Sequence, residues 1–207
     1  MIIRRIEPED AGNVSALIVR TLREVNTKDY SREYIENDVQ KLQPKDILER
    51  AKWTHFYVVC DENKIVGCGA IGPYWGKVDE SSLFTIFVLP EYHGQGIGRK
   101  IIDTLEKDEY FLRANRIEIP ASITATPFYI KMGYTYKNGI SVPDEEGLIR
   151  LEKHMWNGTH LFEGINLFIT ESFQYRNCVC KICAQLLLSV TVASNCNNLT
   201  AEITIQT

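Results

Sequence analysis

The chain has no apolar run of the roughly 18 residues a membrane-crossing helix needs, so no membrane span is expected. Its first residues, MIIRRIEPED, mix charges and lack the apolar stretch of a secretion signal. The expectation is therefore a cytoplasmic protein whose six cysteines are reduced. The sequons at Asn157 and Asn198 then carry no weight. Positive charge is not in excess either: the net charge is -4 and the isoelectric point about 5.6. A nucleic-acid partner, which calls for a basic face, is not expected. The acidic balance leans slightly toward a cationic or neutral substrate. The Gly-Lys-Ser/Thr of a P-loop is missing, and no internal repeat is evident.

What is present is the composition of a globular protein: 207 residues, 44% apolar and 24% charged, enough for one ordinary domain and an appendage. Residues 2–6 read as a short strand. Glu7-Pro8-Glu9-Asp10 then opens a helix whose inner stripe is Val14, Leu17, Ile18 and Leu22. A second helical region spans about 31–51 and is interrupted near Pro44. Residues 54–60 and 65–72, joined by the polar turn at 61–64, read as an antiparallel hairpin. A third strand, 82–88, ends at Leu89-Pro90. A helix at 97–115, a strand at 116–119, a short helix at 125–132 and strands near 134–138 and 148–153 complete the order. This is an α/β (α+β) layout, a mixed sheet with helices on its faces.

The most informative string runs from Val88 to Lys100, VLPEYHGQGIGRK. A strand stops at a proline, glycines follow at 94, 96 and 98, and a helix begins at once. Glycines there let successive backbone N–H groups point into one concavity, and the helix dipole adds partial positive charge. Together they form a cradle for a pyrophosphate. Arg99 and Lys100 oppose the dipole in a first helical turn unless an anion docks beside them. A dinucleotide fingerprint needs a glycine where Arg99 stands, and its strand would open the domain rather than follow a hairpin.

With these residues in view, the sequence resembles the GNAT (Gcn5-related N-acetyltransferase) superfamily. The family's Arg/Gln-x-x-Gly-x-Gly/Ala, following a Val-x-Pro strand end, is matched by His93-Gly94-Gln95-Gly96-Ile97-Gly98 after Val88-Leu89-Pro90. Its Ala-x-x-Phe-Tyr-x-x-x-Gly-Tyr helix is matched from Ala125 through Phe128, Tyr129 and Gly133 to Tyr134. His93 departs from the usual Arg or Gln, and Ser122 stands where many members have Asn. The likeness covers about 1–155, so the expected organisation is an acetyltransferase domain at 1–156 and an extension at 157–207. The implied fold is a mostly antiparallel sheet flanked by helices.

The resemblance implies acetyl-CoA as co-substrate, with Ile86, Phe87 and Val88 along its pantetheine arm. His93, Gly94, Gln95, Gly96, Ile97, Gly98 and Arg99 would hold the pyrophosphate, with Ser122 nearby. A free amide near Phe87 or Val88 would hold the thioester oxygen. Tyr129 takes the family's position for the acid that protects the leaving thiolate. The base is not fixed by the resemblance; Glu80, Glu118 and His55 are candidates, Glu80 first, and a chain of waters is an alternative. Asn26, Asp29, Tyr30, Tyr74 and Trp75 are expected around the acceptor, a small-molecule amine. Two further readings are a protein N-terminal or lysine acetyltransferase and a non-catalytic acetyl-CoA sensor.

Beyond Met155 charged residues thin out to Glu163, Glu171, Arg176, Lys181 and Glu202. Cys178, Cys180, Cys183 and Cys196 crowd this stretch, but their spacing does not fit a zinc knuckle, and no metal is expected. The expectation for 157–207 is a loosely ordered extension, or an apolar segment at 182–193 that packs on a second subunit in a homodimer.

Overall fold

β-branched and aromatic residues at 55–61 favour a pleated, half-buried surface. In the computed structural model, which describes residues 1–155, they form β2 (His55–Asp61), paired antiparallel with β3 (Lys64–Pro73) across a tight turn at Glu62 and Asn63. The extension at 157–207, with its four cysteines and apolar segment, lies outside the described residues.

β1 (Ile2–Arg5) pairs antiparallel with β2, and β4 (Glu80–Val88) antiparallel with β3. β5 (Arg116–Ala121) then joins β4 in parallel, β7 (Ile149–His154) pairs antiparallel with β5, and β6 (Thr135–Tyr136) lies at the edge. The sheet has seven strands in the order β1-β2-β3-β4-β5-β7-β6. One parallel junction among antiparallel ones is the mixed sheet the sequence implies.

Helices cover both faces. α1 (Ala11–Val25) buries Val14, Leu17, Ile18 and Leu22, the stripe read from the sequence. Its start is pinned to β1 by Arg4, whose Nη1 and Nη2 donate to the Asp10 carboxylate at 2.6 and 2.9 Å. The region around Pro44 is two helices, α2 (Arg32–Gln40) and α3 (Pro44–Trp53). α3 begins with proline at its first position and a reciprocal Gln43–Asp46 capping box, the arrangement that starts a helix rather than merely bending one.

The expected single helix at 97–115 also divides. α4 (Ile97–Leu105) ends, and α5 (Glu109–Leu112) starts anew because the Asp108 side chain accepts from Tyr110 N–H at 2.9 Å. α4 buries Ile97, Ile101, Ile102 and Leu105 against the sheet. Gly69 of β3 allows this close approach: a Cβ there would stand 2.5 Å from the Ile101 side chain. α6 (Thr126–Lys131) lies between β5 and β6. Among the described residues no helix is long and apolar enough to cross a membrane.

Two irregularities in β4 shape the centre of the molecule. The β3–β4 register shifts between Cys68 and Ala70, and opposite it Thr85 adopts φ 53°. A β-branched residue seldom occupies the left-handed region, so neighbouring contacts must hold it there. The Cys68 thiol donates to its carbonyl at 3.3 Å, and Arg50 of α3 donates to its hydroxyl. The parallel β4–β5 pairing covers only Glu80↔Arg116, Ser81↔Ile117 and Ser82↔Glu118. Past Ser82 the two strands part, opening a slot between their C-terminal halves.

Candidate active site

The slot leads into a cleft of about 780 Å3. One end is the glycine turn. Gly94 and Gly96 have φ of 76° and 78°, and Gly96 is the residue on which α4 starts. A Cβ built on either meets nothing within 4 Å, so glycine is needed here for the backbone angle and the open approach rather than for internal packing. Among the described residues, no backbone N–H from Gly94 to Arg99 has a protein acceptor, whereas Lys100 N–H already bonds the Gly96 carbonyl at 3.0 Å. Such a run of free donors at a helix start is an anion cradle. Arg99, in the first turn of α4, and Lys131, one turn beyond the Phe128 of α6 that packs on Gly98, also line the cleft.

The second motif packs onto the first. A Cβ on Gly98 would come 3.1 Å from the Phe128 ring, so the third glycine seats α6 against the first turn of α4. That contact sets the position of Tyr129, which lines the cleft at 4% exposure. Burial pushes the Tyr129 phenol well above its ordinary value, so it is held protonated. No hydrogen bond to a described residue acts on its hydroxyl, only burial and the nearby Cys68.

At the end of β4, Leu89 N–H bonds the Val66 carbonyl at 2.9 Å, facing β3. Strand alternation turns the N–H and carbonyl of Val88 the other way, into the slot. The Val88 carbonyl is taken: His93 Nε2 lies 2.9 Å from it and the Thr21 hydroxyl 3.3 Å. His93 therefore carries its proton on Nε2, and its ring braces the strand end. The Val88 N–H is left facing the slot.

Ile86, Phe87, Val88, His93, Gly94, Gly96, Ile97, Gly98, Arg99, Ser122 and Tyr129 all line this one cleft. Ser122 Oγ accepts from Ala125 N–H at 3.2 Å, which helps to start α6. Two expected residues stand apart. Gln95 is not in the lining; its side-chain amide donates to the Glu91 carbonyl at 2.9 Å. Glu80 is a correction. It heads β4 at the end where β5 is still paired, and its carboxylate is held by Arg116 Nε at 2.9 Å, away from the slot.

The other candidate bases are also engaged elsewhere. Glu118 is 2% exposed; burial alone would raise its pKa, but Lys137 at 2.6 Å and Arg116 at 2.8 Å pull it below the ordinary value. His55 Nδ1 lies 2.8 Å from Asp108, outside the cleft.

Around the acceptor end, Asn26 and Tyr30 line the cleft as expected. Asp29 instead accepts from the Thr124 hydroxyl. Tyr74 and Trp75 border a separate shallow depression with Trp53. Among the lining residues that the sequence did not single out are Tyr34, Asp38, Lys41, Arg50, Thr85 and Lys131. Those on α2 and α3 show no local pattern that sets them apart from ordinary helix surface. Burial raises the pKa of both tyrosines, Tyr34 to about 12, and raises that of Asp38 against the pull of Lys41.

Residues 52–136 match the family model described as an acetyltransferase (GNAT) domain. No curated protein matches the sequence. Several solved structures share the fold. A PaiA N-acetyltransferase from Thermoplasma acidophilum, in complex with coenzyme A, is 17% identical with a TM-score of 0.65, over 74% of this chain and 98% of that one. A GCN5-related N-acetyltransferase from Rhodopseudomonas palustris is 24% identical with a TM-score of 0.60, over 74% and 95%. A GNAT family acetyltransferase from Brucella melitensis, in complex with acetyl-CoA, is 19% identical with a TM-score of 0.55, over 75% and 88%.

The matched segment runs from the end of α3 through β6 and contains the slot, the glycine turn and Tyr129. Residues 52–136 are thus similar to an acetyltransferase (GNAT) domain, and the sheet around them has the fold of the solved acetyltransferases.

Proposed function

We propose that residues 1–156 form the transferase unit, which passes the acetyl group of acetyl-CoA to the primary amine of a small molecule by direct attack. The observation that carries this reading is the run of unbonded amides from Gly94 to Arg99, opening onto the slot between β4 and β5. It fits a diphosphate at one end and an extended arm along β4 beyond it.

The amine nitrogen attacks the thioester carbonyl, and the carbon–sulfur bond breaks. The Val88 N–H steadies the charge that gathers on the carbonyl oxygen, a donor type worth about 3 kcal/mol to the barrier. The departing sulfur takes the Tyr129 proton, which burial keeps in place near neutral pH. The amine proton passes to water. Asp38 is the one carboxylate among the lining residues and the fixed acceptor available to that water.

Small size is supported by the walls of the acceptor end. The Tyr30 hydroxyl donates to the Gly147 carbonyl at 2.8 Å, and the Tyr34 hydroxyl to the Glu146 carbonyl at 2.6 Å. These bonds tie the α1–α2 side to the segment before β7, where an extended peptide would need an open groove. A tyrosine hydroxyl without a protein partner in the cleft favours an enzyme over a sensor. The test is CoA release over an amine panel, after calorimetric titration with acetyl-CoA. Heat of binding with turnover of at least one amine is expected; no binding would refute the reading outright.

A further inference from the structure

Arg50 is a cation in the cleft that has no carboxylate to pair with among the described residues. It lies on the last turn of α3, lines the cleft beside β4, and donates through Nη1 to the Thr85 hydroxyl. Asp46, one turn earlier on α3, is occupied at the start of that helix, accepting from Gln43 N–H at 3.0 Å. Burial lowers the Arg50 pKa, as it does for a cation taken from water without a counter-charge. A guanidinium remains charged at neutral pH all the same, and one neutral hydroxyl leaves most of its five donors unused.

The charge of the whole cleft points the same way. Its lining holds Lys41, Arg50, Arg99 and Lys131 against the single acid Asp38, although the chain as a whole is acidic. Arg99 and Lys131 belong to the glycine-turn end, where a diphosphate would offset them. At the acceptor end, Lys41 Nζ has Asp38 at 3.9 Å, which leaves Arg50 as the uncompensated charge. A polycationic amine would meet repulsion there. A guanidinium fork matches a carboxylate.

Resting on the transferase reading above, we infer that the acceptor is an amino acid in the broad sense, a small molecule with a primary amine and a carboxylate, and that Arg50 binds the carboxylate. The spacing suits this. Thr85 and Val88 lie three residues apart on β4, roughly 10 Å in an unbulged strand and less across the bulge. A carboxylate on Arg50 and an amine at the thioester then fit within one small molecule.

The test uses matched pairs as acceptors for the full chain with acetyl-CoA: L-amino acids, β-alanine and γ-aminobutyrate, each beside its carboxamide. At least one acid is expected to exceed its amide by about 30-fold in kcat/KM, the size of a charge-assisted contact. Arg50→Gln should collapse that ratio to near one. Thr85→Val, which removes the hydroxyl but not the charge, should not.

Turnover of amines without preference for any acid overturns the inference. Equal loss on acid and amide in Arg50→Gln overturns it too, and makes Arg50 a clamp for the β4 bulge. Calorimetry separates this from failure of the transferase reading: N-acetyl-L-leucine, N-acetyl-β-alanine and N-acetyl-γ-aminobutyrate, with their amides, are titrated into the CoA complex. Acid-selective binding that Arg50→Gln abolishes sustains the carboxylate site even if no amine is acetylated. Its absence, with no turnover, overturns both.

Discussion

The two ends of the cleft are built from different materials. At the glycine turn the working groups are main-chain amides on a contiguous stretch, 94–99, set by backbone angles that glycine allows. At the acceptor end they are side chains, Tyr30, Tyr34, Asp38, Lys41 and Arg50, brought together from α2, the turns on either side of it and α3. A backbone site is indifferent to most side-chain changes but intolerant of a change in local conformation. A side-chain site has the opposite sensitivity. Binding of the common donor and choice of the particular acceptor can therefore vary separately within one cleft.

The largest effect that would break this contrast lies at Gly96. Gly96→Val places a β-branched residue at φ 78° and projects it into the open approach. Acetyl-CoA affinity should fall about 100-fold or more by calorimetry, strain and blocked amides together. Gln95→Ala, one residue away, should change it less than about threefold, because the Gln95 side chain is outside the lining. Equal effects at both positions would mean that side chains, not amides, hold the diphosphate.

Next comes Tyr129→Phe, at the boundary between the two ends. Its kcat should drop by about 30-fold or more, within or just below the usual range for a positioned acid, while acetyl-CoA affinity stays within about twofold. Unchanged turnover would remove the acid role and leave Tyr129 as packing beside Phe128 and Tyr134.

Smaller still is Tyr30→Phe. The Tyr30 hydroxyl accepts from Ile123 N–H at 3.0 Å while donating to the Gly147 carbonyl, so its loss orphans a half-buried amide. Thermal unfolding should show a cost of about 1–2 kcal/mol, with acceptor KM rising and acetyl-CoA affinity unaltered. A rise in the acetyl-CoA dissociation constant would show that the two ends are not separable.

The smallest expected effect is an acid-side one on α1, which carries part of the acceptor wall. The hydrogen bond from Arg4 holds the Asp10 carboxyl below its ordinary pKa, against the effect of burial. A depressed value means that the pair's contribution is complete above the unfolded carboxylate range, about pH 4, and fades as pH falls through the lower folded value. Asp10→Asn should cost about 1 kcal/mol near pH 7. The gap between the two proteins should close only below about pH 4, and a gap that widened on acidification would contradict the sign.

Legibility in the sequence followed the same division. The glycine turn could be read because its demands fall on consecutive residues, from the proline that ends β4 to the helix that starts at Ile97. The Phe128–Tyr129 pair could be read as a companion motif, and the contact of Phe128 with Gly98 joins the two. Arg50 could not be read: it meets Thr85 across 35 positions of sequence, through the packing of α3 on a strand whose bulge leaves no mark in the alternation of residues 80–88. Glu80, the first candidate base, stands at the head of β4. Only the register with β5 reveals that Arg116 lies opposite and that the strands have not yet parted there. Tyr74 and Trp75 have the composition of an acceptor wall, yet the turn after β3 carries them to another surface.

The parting of β4 from β5 has a mechanical consequence. With only three residue pairs joining them, the sheet consists of two leaves, β1–β4 and β5–β7, sharing one short seam. A molecule filling the gap acts as a rivet between them. Saturation at about 100 times its dissociation constant would add about 2.7 kcal/mol to the folded state. The gain should concentrate in slowed amide exchange along the facing edges, so that resistance to unfolding in the cell follows the supply of the acetyl donor itself.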